Sequence, residues 1–471
     1  MEKKYFDELV RLVSIPSVFD EHAVDGGPFG KNVKDVLEEA LSFAEKEGYK
    51  AKNYDGYAGE FDIGSGEDYI IGILGHLDVV PVDSAWETDP FDPVLKGTRL
   101  YGRGTCDDKG PIMASLAAAA RLEQEGKIPD GTKIRFILGT NEEELWKGID
   151  YYLKKVERLP DVSLVPDGSF PLVYCEKGLY DHDVFFPFVP GGEDASSAPY
   201  ELIGLTGGTS RSLVPASCTA KIRTFDASAK DKVAAFTAEA GYDAECAYDD
   251  GILSIVVHGT SVHAMNPEKG INAISRMIHT LDACFGSAGS HGAFTAAYME
   301  KFGLTCNGER CGVALEDEDS GKLTLNIGEI ELLEDGTVKL YGNLRFPTSF
   351  TKEAVLAAYK ESLQEAGFTM EDYDYLRPVH FDRNGELVTT LLRVYQEVTG
   401  DLASQPIAMG GATYARAIPN AVNYGPVFPD EPELAHEPNE YVDLESLDKA
   451  EEIYYRALEE LIRKKEIFRK N

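Results

Sequence analysis

The chain has 471 residues, 43% hydrophobic and 27% charged, with a formal net charge of −35. That length exceeds what one hydrophobic core serves, so two or three domains are expected. The charge argues against nucleic acid or an anionic membrane surface as a partner, and no apolar run approaches the roughly 20 residues of a membrane span.

In chain order, Met1 to Val10 reads as an amphipathic helix, and the acids inside its apolar pattern are wrong for a signal peptide. Tyr69 to Leu74 and Lys133 to Leu138 are short isoleucine-rich runs bounded by glycine, the pattern of buried parallel strands. Between them, Gly110 to Gly126 predicts a helix with an alanine-rich apolar face, acids (Asp107, Asp108) before its start and a glycine stop. Val162 to Val165 is another strand, followed at once by Pro166-Asp167. Several of these strands run straight into a polar loop holding an acid or a histidine, which is where open α/β sheets build sites.

The middle of the chain differs in texture. Leu253 to His258, Leu323 to Leu332 and Thr337 to Phe346 read as strands, the last two joined by a turn at Glu334-Asp335-Gly336. Helical patterns lie at Lys230 to Ala240 and Pro267 to Phe285, and Tyr441 to Phe468 predicts a closing helix. The expected fold is therefore α/β: a mostly parallel sheet flanked by helices, in a discontinuous domain of residues 1–180 and 383–471. An α+β domain of residues 181–382 is inserted, with hinges near Pro190-Gly191-Gly192 and Asp382-Arg383-Asn384-Gly385. The seven cysteines form no Cys-x-x-Cys pair, which suits inert thiols in a reducing cytoplasm.

The polar loops carry a consistent chemistry. In His76-Leu77-Asp78, residues two apart on a strand end share a face, so one can bind a metal while the other orients it. Asp107 has two oxygens and can bridge two cations about 3.5–4 Å apart, or simply cap the helix. Of the adjacent acids Glu142 and Glu143, one can ligate while its neighbour stays free as a general base. Asp167 and His436, the latter in a proline-stiffened acidic loop, complete the mixture of imidazole and carboxylate that two divalent cations need. Each residue alone has an ordinary explanation as a turn, cap or exposed side chain. Their joint occurrence across several strand-end loops points to a two-metal hydrolytic site. His263 and Arg345 lie in the insert, far along the chain from these loops.

With these motifs the chain resembles the metallopeptidases that include aminoacylases, glutamate carboxypeptidases and the PepV-type bacterial dipeptidases. The resemblance runs from Leu12-Val13-Ser14-Ile15-Pro16-Ser17 to His436, and Gly102-Arg103-Gly104-Thr105 with Asp107-Asp108-Lys109-Gly110-Pro111 is its most specific segment. It implies one cation on His76, Asp107 and Asp167, and a second on Asp107, Glu143 and His436. Asp107 would bridge, Asp78 would orient His76, Glu142 would be the general base, and the Asp107-Asp108 bond would be cis. It also implies that His263 polarises the scissile carbonyl, that Arg345 holds the substrate carboxylate, and that Gly410 and Gly411 contact substrate. The chain departs from the PepV-type pattern at Ser212, where those enzymes carry asparagine.

The function so implied is a metallo-dipeptidase: water between two cations, zinc first with manganese or cobalt also suited, attacks the amide of a short peptide with a free carboxylate. An N-acyl amino acid deacylase on the same site is the alternative, and an inactive peptide- or metal-binding protein a remote one. The enlarged insert, acting as a lid, matches the PepV-type pattern and favours a monomer, while the cysteine usage favours the cytoplasm.

Overall fold

The computed structural model describes residues 1–20, 22, 26–82, 84–187 and 199–469. They form two compact units, one of residues 1–174, 380–408 and 412–471, the other of residues 175–379 and 409–411.

The first unit is built on a nine-stranded mixed sheet whose centre is parallel. Tyr69–His76 lies between Thr132–Gly139 and Val162–Val165 and runs parallel to both, and Ala421–Asn423 continues parallel beside Val162–Val165. Every position of Tyr69–His76 and Thr132–Gly139 is buried, as expected of strands covered on both faces. Register pairs His76 with Gly139 and Asn423 with Val165. The carboxyl ends of these strands therefore open along one edge. Antiparallel strands Ala58–Gly64 and Ala51–Asn53 extend the sheet on one side.

The helix predicted after Asp107-Asp108 spans Lys109–Gln124 and is buried almost all the way round rather than on one face. The reason is its setting: it packs against Tyr69–His76 and also under Lys3–Val13 and Leu444–Arg463, and small alanines allow that close approach. The expected closing helix begins later. Tyr441–Asp443 is a strand paired with Arg99–Tyr101, and the Asp443 side chain then caps the helix Leu444–Arg463 by accepting the Glu445 N–H.

The second unit holds an eight-stranded sheet in which every pairing is antiparallel, in the order Ala244–Asp249, Ile252–His258, Ser217–Arg223, Glu201–Gly207, Thr324–Leu332, Val338–Phe346, Gly178–Phe186 and Thr369–Leu376. Helices Ala229–Glu239, Ala273–Phe285, Gly292–Lys301 and Lys352–Glu365 supply side chains to its core. The single helical pattern expected from Pro267 is broken: a short turn at Pro267–Lys269 stops at Gly270, and Asn272 recaps the chain by accepting the Ser275 N–H. The hinge expected at Pro190-Gly191-Gly192 lies outside the described residues. Asp382 to Gly385 forms a side-chain-capped turn leading into the helix Glu386–Thr399.

All seven cysteines are free thiols. Among the described residues, no helix is long and apolar enough to cross a membrane.

Candidate metal centre

In the first unit, loops that follow separate elements bring five ligand-type side chains to one place. His76, the last residue of its strand, puts Nε2 2.9 Å from Asp107 Oδ1 and 3.9 Å from Asp167 Oδ2. His436 Nε2 lies 2.9 Å from Glu143 Oε2 and 3.3 Å from Asp107 Oδ2. Asp107 thus faces both imidazoles, one through each oxygen. Donor atoms of His76, Asp107 and Glu143 lie within 4.8 Å of one another, as do those of His76, Glu142 and Asp167. The Asp107-Asp108 peptide bond is cis.

Asp78 does two things. The nearer acceptor for His76 Nδ1 is the backbone oxygen of Asp78 at 2.9 Å, with the carboxylate at 3.6 Å. The carboxylate itself accepts the N–H groups of Glu142 and Glu143, each at 3.1 Å. One residue therefore fixes the ring of His76 and the turn that presents both glutamates. Asp108 occupies the N-cap position of its helix without capping it, and its Oδ2 accepts the His76 N–H at 3.2 Å instead. Glu142 Oε1 is buried and makes no hydrogen bond among the described residues.

The electrostatics show what the cluster is short of. The carboxyl groups of Asp78, Asp107, Asp108, Glu142, Glu143 and Asp167 outnumber the imidazoles among them. Burial, then the charge of Asp107, pushes Asp167 up to about 7. Burial, then the charge of Asp167, pushes Glu142 well above the usual carboxylate range. Burial works against the charged form of His76, but hydrogen bonds to Asp107 and Asp78 outweigh it and hold the ring well above its ordinary value. Partial burial opposes the charge on the half-exposed His436, and Glu143 and Asp107 raise it to about 11. Asp107 is held far down, against its burial, by the hydrogen bonds from His436 and His76. Buried acids that must share protons with imidazoles form a donor set matched to divalent cations, whose charge would replace those protons. The residues present fit two such ions, with imidazole and carboxylate suiting zinc, manganese or cobalt.

The remaining expected residues lie in the second unit. His263 is exposed, in a short bridge with Leu213, and its Nδ1 accepts the Met265 N–H at 3.2 Å. That bond places the proton of the neutral ring on Nε2. Ser212 accepts the Ala264 N–H through its backbone oxygen at 2.8 Å. Arg345 is buried, donates through Nε to Asn343 Oδ1 at 2.9 Å and through Nη1 to the Gly410 carbonyl. A Cβ on Gly410 would lie 2.9 Å from the Met265 Cβ, so glycine permits this close approach. Gly411 follows in the same three-residue segment of that unit.

Apart from Lys109, which lies in the Asp107-to-Pro111 motif, the other residues that shape the centre carry no distinctive signal in the sequence. Asn423, at the end of its strand, donates to the Asp167 carbonyl at 2.5 Å. Tyr414 is fully buried, with its ring edge-on to His76 and to Trp146. Lys109 buries its amine against the Leu12 and Ile15 carbonyls, at 2.9 and 3.3 Å. Glu440 is buried beneath the loop of Asp107.

The model of peptidase family M20/M25/M40 matches residues 72–460. The chain belongs to this family of peptidases. It is 34% identical over 466 residues to "Putative dipeptidase YtjP" of Bacillus subtilis (strain 168), covering 97% of each chain. It is 31% identical over 463 residues to "Putative dipeptidase" of Staphylococcus epidermidis, again covering 97% of each. The fold is shared with the dipeptidase Dug1p of Saccharomyces cerevisiae, at a TM-score of 0.59 and 13% identity over 98% of this chain and 96% of that one. An M20 family metallo-carboxypeptidase of Sulfolobus solfataricus matches at 0.59 and 16% identity, over 98% of this chain and 99% of that one.

Proposed function

We propose that the chain is a di-metal dipeptidase that hydrolyses the amide bond of dipeptides or short peptides with a free C-terminal carboxylate. The observation that carries this reading is Asp107 facing His76 through one oxygen and His436 through the other, with Glu143 and Asp167 beside it. His76, Asp107 and Asp167 would hold one cation and Asp107, Glu143 and His436 the other. Bound there, the cations supply Lewis acidity and lower the pKa of water toward neutrality. Zinc is the first assignment, with manganese or cobalt also suited to the ligands.

The chain's own residues do the rest. Glu142, with an unpartnered buried oxygen, takes a proton from the attacking water and delivers it to the leaving amine. Asp78 keeps Glu142, Glu143 and His76 in register. His263 offers its Nε2 proton to the carbonyl oxygen as negative charge develops there, a contribution of roughly 3–4 kcal/mol for one such donor. Arg345 binds the substrate carboxylate, with Gly410 and Gly411 against the substrate. Residues 181–382 serve as the lid domain carrying His263 and Arg345, on a body of residues 1–180 and 383–471, and the protein works as a monomer. Seven free thiols suit a reducing cytoplasm.

The similarity to relatives named as dipeptidases along 97% of both chains supports a peptide rather than an acyl-amide substrate. The test is a panel of dipeptides and matching N-acetyl amino acids, assayed on chain stripped of metal and refilled with each cation. Faster cleavage of the free-amine substrates is expected. Preference for the N-acetyl compounds would make the chain a deacylase, and no metal-dependent turnover of either would defeat both.

A further inference from the structure

We infer that Glu440 and Arg103 form a positioning pair that sets the separation of Asp107 and His436, and through it the affinity of the centre for its cations. This rests on the metal-centre reading above and extends it to residues that touch no metal.

Glu440 is fully buried, and its carboxylate gathers the backbone N–H groups of the loop that carries Asp107. Gly104 donates at 3.0 and 3.1 Å, Cys106 at 2.9 Å and Asp107 itself at 3.3 Å. The Thr105 hydroxyl reaches the same oxygen at 3.5 Å, and the Glu440 carbonyl accepts the Gly102 N–H at 3.1 Å. The loop from Gly102 to Asp107 is thus wrapped on one carboxylate. Arg103, also buried, balances that charge with Nη1 at 2.8 Å from Glu440 Oε2, and its other nitrogen, Nη2, donates to the His436 carbonyl at 3.2 Å. The guanidinium lies over the Trp86 ring at 5.2 Å.

A single ion pair therefore ties the two ligands whose side chains meet, Asp107 and His436, by their backbones. His436 needs the tie. It adopts φ 66°, a left-handed conformation that a non-glycine residue keeps only when its surroundings enforce it. Its side chain is 53% exposed, so packing alone does not hold the ring. Arg103 is suited to the task because its planar fork can bond a carboxylate and a carbonyl at once, which a lysine ammonium on a flexible stem does less well.

The test uses the full chain stripped of metal. Zinc is titrated in competition with a chromophoric chelator, and the melting temperature of each metal-free protein is measured in parallel. Glu440→Gln keeps size but turns an NH2 toward N–H donors. It should weaken binding of both equivalents by roughly 10–100-fold, the usual scale for groups that orient ligands. Arg103→Lys keeps the charge and loses the reach to His436. It should weaken one equivalent, about tenfold, and spare the other. A purely structural role would lower the melting temperature and leave the affinity of the folded protein unchanged. Two equivalents bound as tightly as by wild type in both variants would overturn the proposal. If Glu440→Gln does not fold, Arg103→Lys decides, and equal weakening of both equivalents counts against the link to His436. A wild-type chain that binds no zinc defeats the metal-centre reading itself.

Discussion

Asp78 Oδ1 accepts the backbone N–H of Glu142 at 3.1 Å, while Glu142 keeps one carboxyl oxygen buried and without a hydrogen bond among the described residues. The glutamate is held by its backbone and left chemically available at its tip. Glu142→Ala should therefore bind the same two metal equivalents as wild type and lose roughly 10²–10⁴-fold in kcat, the range for one general base. Metal analysis beside steady-state kinetics checks both halves. A variant with near-normal turnover would remove Glu142 from the chemistry.

Asp78→Ala should behave differently. It frees the N–H groups of Glu142 and Glu143 and loosens the turn below His76, so metal affinity should fall by roughly 10–100-fold along with activity. Affinity measured by chelator competition, unchanged from wild type, would count against this role.

Gly139 ends the strand beside His76, and a Cβ there would lie 2.3 Å from the Tyr414 ring. Since Tyr414 is wedged among His76 and Trp146, Gly139→Ala should cost about 1–3 kcal/mol by overpacking. Urea unfolding of the metal-free protein reads this directly, and an unshifted midpoint would contradict it.

Much of the centre is legible in the sequence because its residues sit at strand ends, and short apolar strands are easy to see. Tyr69 to Leu74 leads to His76, and Val162 to Val165 leads through Pro166 to Asp167. Asp78 apart, the supports are not legible, for a physical reason. Glu440 stands in a loop crowded with acids, and only the folded chain shows that this one is buried against N–H groups. Asn423 and Tyr414 look like ordinary strand and loop residues until the register brings them beside Asp167 and His76. The break at Gly270 and the late start at Leu444 escape a periodicity argument because a helical apolar period continues across both.

Glu8 gives a prediction remote from the centre. Its side chain is fully buried, with Arg11 on one oxygen and no hydrogen-bond partner for the other among the described residues, and burial raises its pKa from 4.5 to about 7. Between those values the folded chain holds a proton that the unfolded chain has released. Stability from this group is complete below pH 4.5 and is lost as pH rises through about 7. Replacement by glutamine should flatten that decline. Urea midpoints of wild type and Glu8→Gln should diverge as pH rises from 4.5 to about 7, and parallel curves would contradict the assignment.

The most direct measurement is anomalous X-ray scattering at the zinc absorption edge from crystals of the chain grown with zinc. Two peaks should appear, one against His76 and Asp167 and one against Glu143 and His436, both in contact with Asp107. A single peak, or two peaks that do not share Asp107, would contradict the account.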